Sequence, residues 1–220
     1  MTLQLNLQKG LVGHWTMDDA DTSGDTLYDS SAYDNHGTIS SPTQTEGQIG
    51  GAYDFDGKSD KILTDFISPI NQASGLTISA WINQKGNANN SFERHLDLQD
   101  KSAGNAYLLY WDDDDREYGF RAPRAEAIIN ENPELNTWLH WAGVYDGDEI
   151  KFYENSVQKS SSPQSGNIQK ELALSIGGRY DTNNDGALAK IDDVRLYNRT
   201  LSEEEISALY NMRSQRSYNI

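Results

Sequence analysis

Short segments in which apolar and polar residues alternate recur along almost the whole chain, and this recurrence most restricts the possible folds. Alternation with a period of two places successive side chains on opposite faces of a β-strand. Turn residues such as Asp56 and Gly57 separate the segments, and helical periodicity is rare before residue 200. The segments lie at 10–17, 52–55, 77–83, 92–98, 106–111, 117–121, 125–129, 138–145, 149–153, 172–176 and 189–197. The sequence therefore predicts an all-β protein whose antiparallel sheets form a sandwich or a barrel.

Residues 10–212 are predicted to form one continuous domain. A length of 220 residues suits a single large all-β domain, and we find neither an internal repeat nor a linker. The serine-rich segment 160–166 (SSSPQSG) is predicted to be a flexible loop within the domain. We predict short tails at residues 1–9 and 213–220.

One helix is predicted near the end of the chain. Ser202 and Glu205 have the spacing of a capping box, in which each residue satisfies a backbone N–H of the other. The residues that follow place Ile206, Leu209 and Tyr210 on one apolar stripe. We expect this helix to dock on the edge of the sandwich.

The chain is strongly acidic, with 34 acidic and 18 basic residues and a formal net charge of −16. Nucleic acid and anionic membranes are therefore unsuitable partners, because both bind basic surfaces. Aspartate is the more frequent acid, with 22 residues against 12 glutamates, and it forms turns and binds hard cations. A surface adapted to high salt explains the same bias, so cation-binding loops and a halophilic origin both stay open.

The absence of cysteine excludes disulfides, zinc–thiolate sites and thiol nucleophiles. No apolar run reaches the roughly 18 residues of a membrane span, so we predict no membrane insertion. The first residues, MTLQLNLQKG, lack the apolar core of a signal peptide. The chain either stays inside, has lost a signal, or leaves by a route that needs none, such as lysis by a virus. We predict an extracellular, cell-surface or virion location.

An ordered series of short motifs covers most of the chain. In chain order they are 13–19 (GHWTMDD), 29–31 (DSS), 35–37 (NHG), 51–57 (GAYDFDG), 76–81 (LTISAW), 138–142 (WLHWA), 145–147 (YDG), 175–178 (SIGG), 191–198 (IDDVRLYN) and 201–206 (LSEEEI). The set resembles the laminin-G-like, concanavalin A-like jelly-roll family over about residues 10–212. One departure is Tyr153-Glu154-Asn155, which stands where the family often has an Asp-Gly turn.

The resemblance implies two antiparallel sheets packed face to face, with a curved outer face, and one short C-terminal helix. Members of the family usually serve as recognition modules, often for glycans, on secreted, cell-surface or viral proteins. Structural calcium is common among them. Fold alone does not establish function, so each candidate site is considered separately.

A structural calcium ion is the cofactor that the resemblance implies. Calcium takes six to eight oxygen ligands from carboxylates, amides, carbonyls and water. In a jelly roll the first and last strands tend to lie side by side, which would bring distant acidic segments together. The candidate ligands are Asp18, Asp19, Asn35, His36, Asp192 and Asp193. The alternative is that some of these residues cap turns or are solvated charges.

Two further acidic segments are weaker candidates for cations. Residues 181–186 (DTNNDG) match the opening of an EF-hand loop, with Asp192 at the twelfth position. That position normally holds a bidentate glutamate, and the flanks here are predicted strands, so we predict a polar hairpin loop. Residues 112–115 (DDDD) are predicted to be a solvated acidic loop that binds cations loosely at most.

Aromatic and arginine residues gather on one predicted hairpin. Sugar sites pair an aromatic ring, which stacks on the C–H face of the sugar, with planar polar groups that bind hydroxyls. The best candidates for a ligand-binding groove are Arg94, Tyr110, Trp111, Arg121 and Arg124. Packing in the core or at a sheet edge is the alternative for each aromatic. We predict structural roles for Trp15, Trp81, Trp138, Trp141 and His140.

The catalytic signatures of this fold are missing from the sequence. The glucanase pattern Glu-x-Asp-x-x-Glu is absent, and the nearest segment, 93–97 (ERHLD), has the wrong spacing. The lyase-type strand pair and a Gly-x-Ser-x-Gly elbow are absent as well. We therefore predict a non-catalytic module that binds glycans or a glycosylated surface. The alternative is a virion structural protein, such as a capsid decoration, turret or fibre, that assembles with neighbouring proteins or copies of itself; a glycan-degrading enzyme is less favoured.

Overall fold

The computed structural model describes residues 5–71, 73–88, 92–100, 106–166, 168, 172–182 and 184–212. The predicted C-terminal tail, residues 1–4 of the predicted N-terminal tail and Asn183 lie outside the described residues.

Strands account for most of the regular structure. They are β1 (Leu11–Trp15), β2 (Thr22–Ser23), β3 (Thr26–Leu27), β4 (Gly37–Ser40), β5 (Thr43–Glu46), β6 (Gly51–Asp54), β7 (Lys61–Ile67), β8 (Leu76–Gln84), β9 (Phe92–Gln99), β10 (Ala106–Asp112), β11 (Glu117–Ala122), β12 (Ala125–Ile129), β13 (Trp138–Tyr145), β14 (Glu149–Glu154), β15 (Val157–Pro163), β16 (Leu172–Ile176) and β17 (Ala189–Tyr197). The described residues also form one α-helix, α1 (Glu203–Asn211), and two 3₁₀ turns, at Asp19–Asp21 and Ser68–Ile70.

The strands form two antiparallel sheets that pack face to face. Sheet A has eight strands in the order β15-β14-β13-β8-β17-β6-β5, and β1 also pairs with β17. Sheet B has nine strands in the order β12-β11-β10-β9-β16-β7-β4-β3-β2. The predicted all-β, two-sheet jelly-roll sandwich is confirmed, and the first and last strands are neighbours as expected.

The core lies between the two sheets and follows from the alternation of each strand. Its most deeply buried aromatic residues are Trp15, Trp111, Trp141, Tyr145, Phe55, Phe120 and Phe152. Residues of the opposite parity point away from the core, to the outer face of each sheet. Each sheet therefore has one outer face that is not buried in the core between the sheets.

Helix α1 covers part of the outer face of sheet A. Ile206 and Leu209 of the helix pack against Ala142, Val144 and other residues of a second apolar cluster. The predicted capping box between Ser202 and Glu205 is present. The expectation that the helix docks on the sandwich edge is corrected, because it covers apolar side chains that β13, β14 and β17 present on their outer face. This helix is too short and too polar to cross a membrane.

The N-terminal segment lies beside the helix. Arg199 donates from Nε to the Lys9 carbonyl oxygen at 2.7 Å, and both terminal nitrogens contact the Glu205 carboxylate. Leu7 packs against the apolar cluster under α1. Residues 5–9, predicted as part of a tail, are thus packed against the domain.

Strand β15 includes part of segment 160–166, which the sequence predicted to be a flexible loop. Ser160, Ser161 and Ser162 pair with β14, and this edge strand is largely exposed, so its polar composition hid its conformation. The turn before it uses Asn155 and Ser156, both with positive φ (50° and 67°), in place of Asp-Gly. Strand β7 was also missed, although it lies inside sheet B.

Candidate functional site

Four side chains on the outer face of sheet B form an arginine–aromatic cluster: Phe92, Arg94, Tyr110 and Arg121. The rings of Phe92 and Tyr110 stack with centroids 4.9 Å apart and planes 15° from parallel. The Arg121 guanidinium carbon lies 5.1 Å from the Phe92 centroid and 4.8 Å from the Tyr110 centroid. The Arg94 guanidinium carbon lies 5.5 Å from the Phe92 centroid. Phe92 is therefore in contact with two cations.

The register of three strands assembles this cluster. Tyr110 on β10 pairs with Arg94 on β9 and with Gly119 on β11, and Arg121 pairs with Leu108. A Cβ atom at Gly119 would lie 2.2 Å from the Ala127 carbonyl oxygen, so this position of β11 requires glycine. Alternation places Tyr110 and Arg121 on the outer face, because their neighbours Trp111 and Phe120 point into the core.

A β-bulge in β9 extends the cluster. Leu109 and Tyr110 pair with Leu96 and Arg94, so His95 is an extra residue in β9. After the bulge, Asp97 shares the outer face with Arg94, and the two side chains meet at 3.2 Å. Strict alternation would have placed these residues on opposite faces. The bulge thus creates an ion pair that sequence periodicity hides.

Carboxylates surround the arginines of the cluster. The Tyr110 hydroxyl donates to Glu117 at 2.8 Å, and this bond together with burial raises the pKa of Tyr110. Arg121 Nε lies 2.6 Å from Glu126 Oε1, and Arg94 Nε donates to Asp185 Oδ2 at 3.1 Å. These planar charged groups hold each other in fixed orientations on one face.

Asp97 is the most buried acid on this face. Its side chain is fully buried, and desolvation raises its pKa to about 6 against the opposing effect of Arg94 and of the Tyr180 backbone N–H. Asp97 Oδ1 and the Oγ of its cross-strand neighbour Ser175 are both buried and have no hydrogen-bond partner. Two buried polar atoms beside the Arg94–Asp97 ion pair therefore remain unsatisfied.

An open depression adjoins the arginine–aromatic cluster. It measures about 550 Å³ and lies where β12 of sheet B approaches β15 of sheet A. Its lining consists of Arg121, Ala122, Pro123, Arg124, Ala125, Glu126 and Ser162. We call it the edge depression. Arg121 belongs to both the cluster and the edge depression.

The structure places the five predicted ligand-binding residues in three settings. Arg94, Tyr110 and Arg121 meet in the cluster, and Arg124 lies on the adjoining β11–β12 turn. Trp111 is corrected: it is 2% exposed and points into the core, because it has the same parity as Tyr107 and Leu109. Tyr110 is also fully buried, so its ring supports the cluster and is not itself an open platform.

Phe92 is the cluster residue that sequence reasoning missed. It is only partly buried and carries both cation–π contacts described above. Its parity with Arg94 on β9 was available from the sequence. The stacking on Tyr110 was not, because it depends on the register between β9 and β10.

The six predicted calcium ligands do not form one group. The described residues contain one set of three or more acidic or histidine side chains with ligand atoms within 4.8 Å, and it is Asp112, Asp115 and Glu117. His36 Nδ1 accepts from the Asp29 N–H, and the Asn35 amide donates to the Val12 carbonyl oxygen. Asp19 is exposed and begins a 3₁₀ turn.

Asp193 pairs with basic side chains. Arg195 binds both of its carboxylate oxygens at 3.0 Å, and His14 Nε2 lies 2.8 Å from Oδ1. These partners hold the pKa of Asp193 well below its usual range. The prediction that Asp193 is a cation ligand is corrected, since a guanidinium already satisfies this carboxylate.

Asp18 and Asp192 share one backbone turn, residues 47–51. The Gly51 N–H donates to Asp18 Oδ1 at 2.7 Å, and the Ile49 N–H donates to Asp192 Oδ2 at 2.7 Å. The approach is so close that a Cβ atom at Gly51 would lie 2.6 Å from the Met17 carbonyl oxygen. Asp192 Oδ1 is buried without a hydrogen-bond partner, and desolvation, with smaller contributions from nearby acids including Asp18, raises the pKa of Asp192 to about 8.

The loop at 181–186 is occupied by ion pairs. Arg179 contacts Asp181 at 2.6 Å, and Asp185 contacts Arg94. These arginines already neutralise the two aspartates that an EF-hand-like site would need. Asn183 of the same loop lies outside the described residues.

Two histidines, His95 and His140, are buried in the protein interior. His95 Nε2 lies 2.6 Å from Gln84 Oε1, and Gln84 in turn donates to Glu93 at 2.8 Å. Desolvation lowers the pKa of His95 to about 3 and that of His140 to about 4, so both are neutral at physiological pH. Trp15, Trp81 and Trp141 are fully buried, as their predicted structural roles require.

A laminin-G family model, described as the concanavalin A-like lectin/glucanases superfamily, matches residues 56–207. No curated protein sequence matches the chain.

Several solved structures share the fold at low sequence identity. Domain 4 of the arabinanase AbnA from Geobacillus stearothermophilus is 19% identical with a TM-score of 0.70, covering 91% of this chain and 98% of that domain. The binding domain of Paraclostridial Mosquitocidal Protein 1 is 16% identical with a TM-score of 0.70, covering 94% of this chain and 53% of that chain. Trypanosoma rangeli sialidase is 15% identical with a TM-score of 0.71; 93% of this chain matches 33% of that enzyme. The chain thus spans about a third of the sialidase and about half of the mosquitocidal binding domain.

Proposed function

The chain belongs to the concanavalin A-like lectin/glucanase superfamily, and we propose that it is a non-catalytic module that binds glycans through the outer face of sheet B. The arginine–aromatic cluster is the observation that carries this proposal. An aromatic ring offers an apolar surface for the C–H face of a sugar, and planar charged groups bind pairs of hydroxyls. Phe92 supplies the ring, and Arg94 and Arg121 flank it.

The names of similar structures support a recognition role. Domain 4 of the arabinanase was solved in complex with arabinotriose. Two other similar structures are also named as binding domains. They are the mosquitocidal binding domain and the receptor-binding domain of botulinum neurotoxin D, and the latter is 13% identical to this chain with a TM-score of 0.71. At these identities the likeness itself concerns the fold, so the glycan is proposed from the cluster.

We propose no catalytic step for this face. A retaining glycosidase places two carboxylates about 5 Å apart on either side of the scissile bond. Here Asp97 is fully buried against Arg94, and the Glu117 carboxylate accepts the Tyr110 hydroxyl. Asp112 and Asp115 come close to Glu117, but they lie on a partly exposed hairpin turn. These carboxylates fit the positioning of arginines and hydroxyls better than acid–base chemistry.

Removal of the Phe92 ring tests the proposal. We expect Phe92→Ala to weaken glycan binding at least tenfold, because it removes the stacking surface and both cation–π contacts. The matched control is Tyr33→Ala, in the loop between β3 and β4 at the other end of sheet B, where the aromatic side chain is 48% exposed. A glycan array followed by calorimetry on the best ligand measures both variants. Equal affinity of Phe92→Ala and the parent protein, or no glycan bound by the folded parent protein, would contradict the proposal.

Calcium is a second, separate proposal, restricted to Asp18 and Asp192. The unpaired and buried Asp192 Oδ1 fits a cation, and Asp18 adds negative charge nearby. A bound calcium ion would neutralise both carboxylates and brace residues 47–51. Saturating calcium would then stabilise the fold, by about 2.7 kcal/mol at a hundredfold excess over Kd. Thermal unfolding with calcium or chelator checks this, and Asp192→Asn should remove the difference.

The location of the protein stays a prediction. We propose an extracellular, cell-surface or virion setting, because complex glycans are met there. The alternative role as a virion structural protein depends on an assembly surface. Among the described residues the exposed large apolar side chains are Leu5, Leu135 and Val157, which belong to separate segments, and Tyr28 and Tyr33, which share the loop between β3 and β4. Sedimentation of the purified chain at increasing concentration would reveal self-assembly if this alternative holds.

A further inference from the structure

We infer that the edge depression binds the acidic group of an anionic glycan, so that the ligands of this module carry carboxylate or sulfate. This inference rests on the proposed function and adds the chemical class of the ligand. It follows from the state of two arginines, Arg121 and Arg124, that line the depression.

Most described arginines are already neutralised within the chain. Each of five makes an ion pair of 3.2 Å or less with a carboxylate: Arg94, Arg121, Arg179, Arg195 and Arg199. A chain with a net charge of −16 repels anions at long range. An anionic ligand therefore needs arginines whose charge the protein itself leaves available.

Arg124 is such an arginine. It is exposed on the β11–β12 turn, and no described residue makes a hydrogen bond or ion pair with it. Pro123 precedes it and fixes one backbone dihedral of the turn. Ala122 and Ala125, the small residues on either side of the Pro123-Arg124 turn, also line the depression.

Arg121 leaves part of its guanidinium available. Its Nε lies 2.6 Å from Glu126 Oε1, and its guanidinium carbon lies over the Phe92 and Tyr110 rings. The hydrogen bonds among the described residues do not involve its two terminal nitrogens. The ion pair and the ring contacts restrict this side chain, so less side-chain entropy is lost when the terminal nitrogens bind an oxyanion. Glu126 is the one acid in the lining, and Arg121 offsets it.

The geometry connects the two halves of the site. Because Arg121 borders both Phe92 and the edge depression, a sugar ring stacked on Phe92 would direct a neighbouring acidic group toward Arg124. A planar guanidinium binds carboxylate or sulfate oxygens through two parallel N–H bonds. The Ser162 hydroxyl, from the opposite sheet, adds a neutral donor.

The test compares an acidic oligosaccharide with its own neutral ester and with a sulfated oligosaccharide. The probes are oligogalacturonate, the same oligosaccharide as its methyl ester, and a sulfated heparin oligosaccharide. We expect the methyl ester to bind at least tenfold more weakly than the free acid, because esterification removes the charge-assisted bonds. Preference for the carboxylated or the sulfated probe identifies the source of the acidic group.

The test also compares variants of equal charge. Arg124→Ala should weaken binding of the better acidic probe tenfold or more, and Arg124→Lys should restore it in part. The control is Arg116→Ala, which removes an exposed arginine from the neighbouring β10–β11 turn. Circular dichroism and thermal unfolding confirm that each variant is folded.

The failures of the two proposals are distinguishable. Equal binding of acid and ester, or equal losses in Arg124→Ala and Arg116→Ala, would overturn this inference and leave the glycan-binding function intact. Tight binding of neutral glycans alone would have the same meaning. Failure of the folded protein to bind any glycan, neutral or acidic, would overturn both.

Discussion

The two outer faces of the sandwich differ in what covers them. On sheet A, helix α1 seals an apolar cluster, and the charges beneath it are paired and nearly buried. On sheet B, no described helix covers the outer face, and the arginine–aromatic cluster stays partly open to solvent. One face therefore contributes stability, and the other presents the side chains through which we propose that a glycan binds. Changes confined to one face test this difference.

The largest expected effect comes from removing the carboxylate partner of an arginine on each face. Asp193→Ala would leave Arg195 buried and unpaired, and should lower the free energy of unfolding by about 3–5 kcal/mol. Asp185→Ala removes one partner of Arg94, which keeps Asp97, and the Asp185 side chain is 23% exposed. That change should cost about 1 kcal/mol or less.

Urea unfolding of both variants measures this difference. Equal losses of stability would show that the two faces are equally buried in solution and would remove the basis of the comparison. Glycan binding by the folded fraction of Asp193→Ala should match that of the parent protein.

Acid should act in opposite directions through two buried residues, His140 on sheet A and Asp97 on sheet B. On sheet A, His140 faces Asp193, Arg195 and the Tyr210 ring, and its pKa is lowered to about 4. Between pH 6.5 and 4 the unfolded chain binds the proton first, so this group destabilises the fold as the pH falls. On sheet B, the pKa of Asp97 is raised to about 6, so between pH 6 and 3.8 the folded chain binds the proton first and gains stability.

Variants separate these two contributions. His140→Gln should make the free energy of unfolding fall less steeply on acidification, by up to about 1.4 kcal/mol per pH unit. Asp97→Asn should make it fall more steeply, and the exposed Asp114→Asn should change nothing. Urea unfolding at several pH values gives the slopes. Slopes that shift in the same direction for both buried variants would refute the assignment.

The smallest expected effect concerns the cap that holds α1 in place. Ser202→Ala removes the side chain that accepts from the Glu205 N–H and should cost about 1 kcal/mol. The melting temperature should fall by about 2–4 °C, with no change in glycan affinity. Ser165→Ala, at an exposed loop position, is the control. A loss of affinity in the cap variant would mean that the helix influences the open face.

Much of the fold could be predicted because β-strand alternation is local. The parity of β10 and β11 correctly separates Tyr110 and Arg121 from Tyr107, Leu109 and Phe120. The same parity assigns Trp111 to the core, so the prediction that Trp111 lines the ligand-binding groove was wrong. Strand β15 was not predicted because an exposed edge strand needs no apolar pattern.

Less of the candidate site could be predicted, because its contacts depend on strand register. Phe92 reaches Tyr110 only through the pairing of β9 with β10. Arg94 meets Asp97 only because the bulge at His95 reverses the alternation. The spacing of apolar residues within one strand specifies neither its pairing register with the next strand nor the position of a bulge.

The acidic residues show the same division. Local patterns in the chain are enough to predict an acidic, cysteine-free, all-β sandwich with one capped helix, since composition, alternation and capping act over a few residues. Packing between distant segments places Asp193 against Arg195 and His14, Asp192 against residues 47–51, and α1 over the outer face of sheet A. A carboxylate or an apolar stripe specifies the kind of partner it needs, whereas this long-range packing selects which partner it meets.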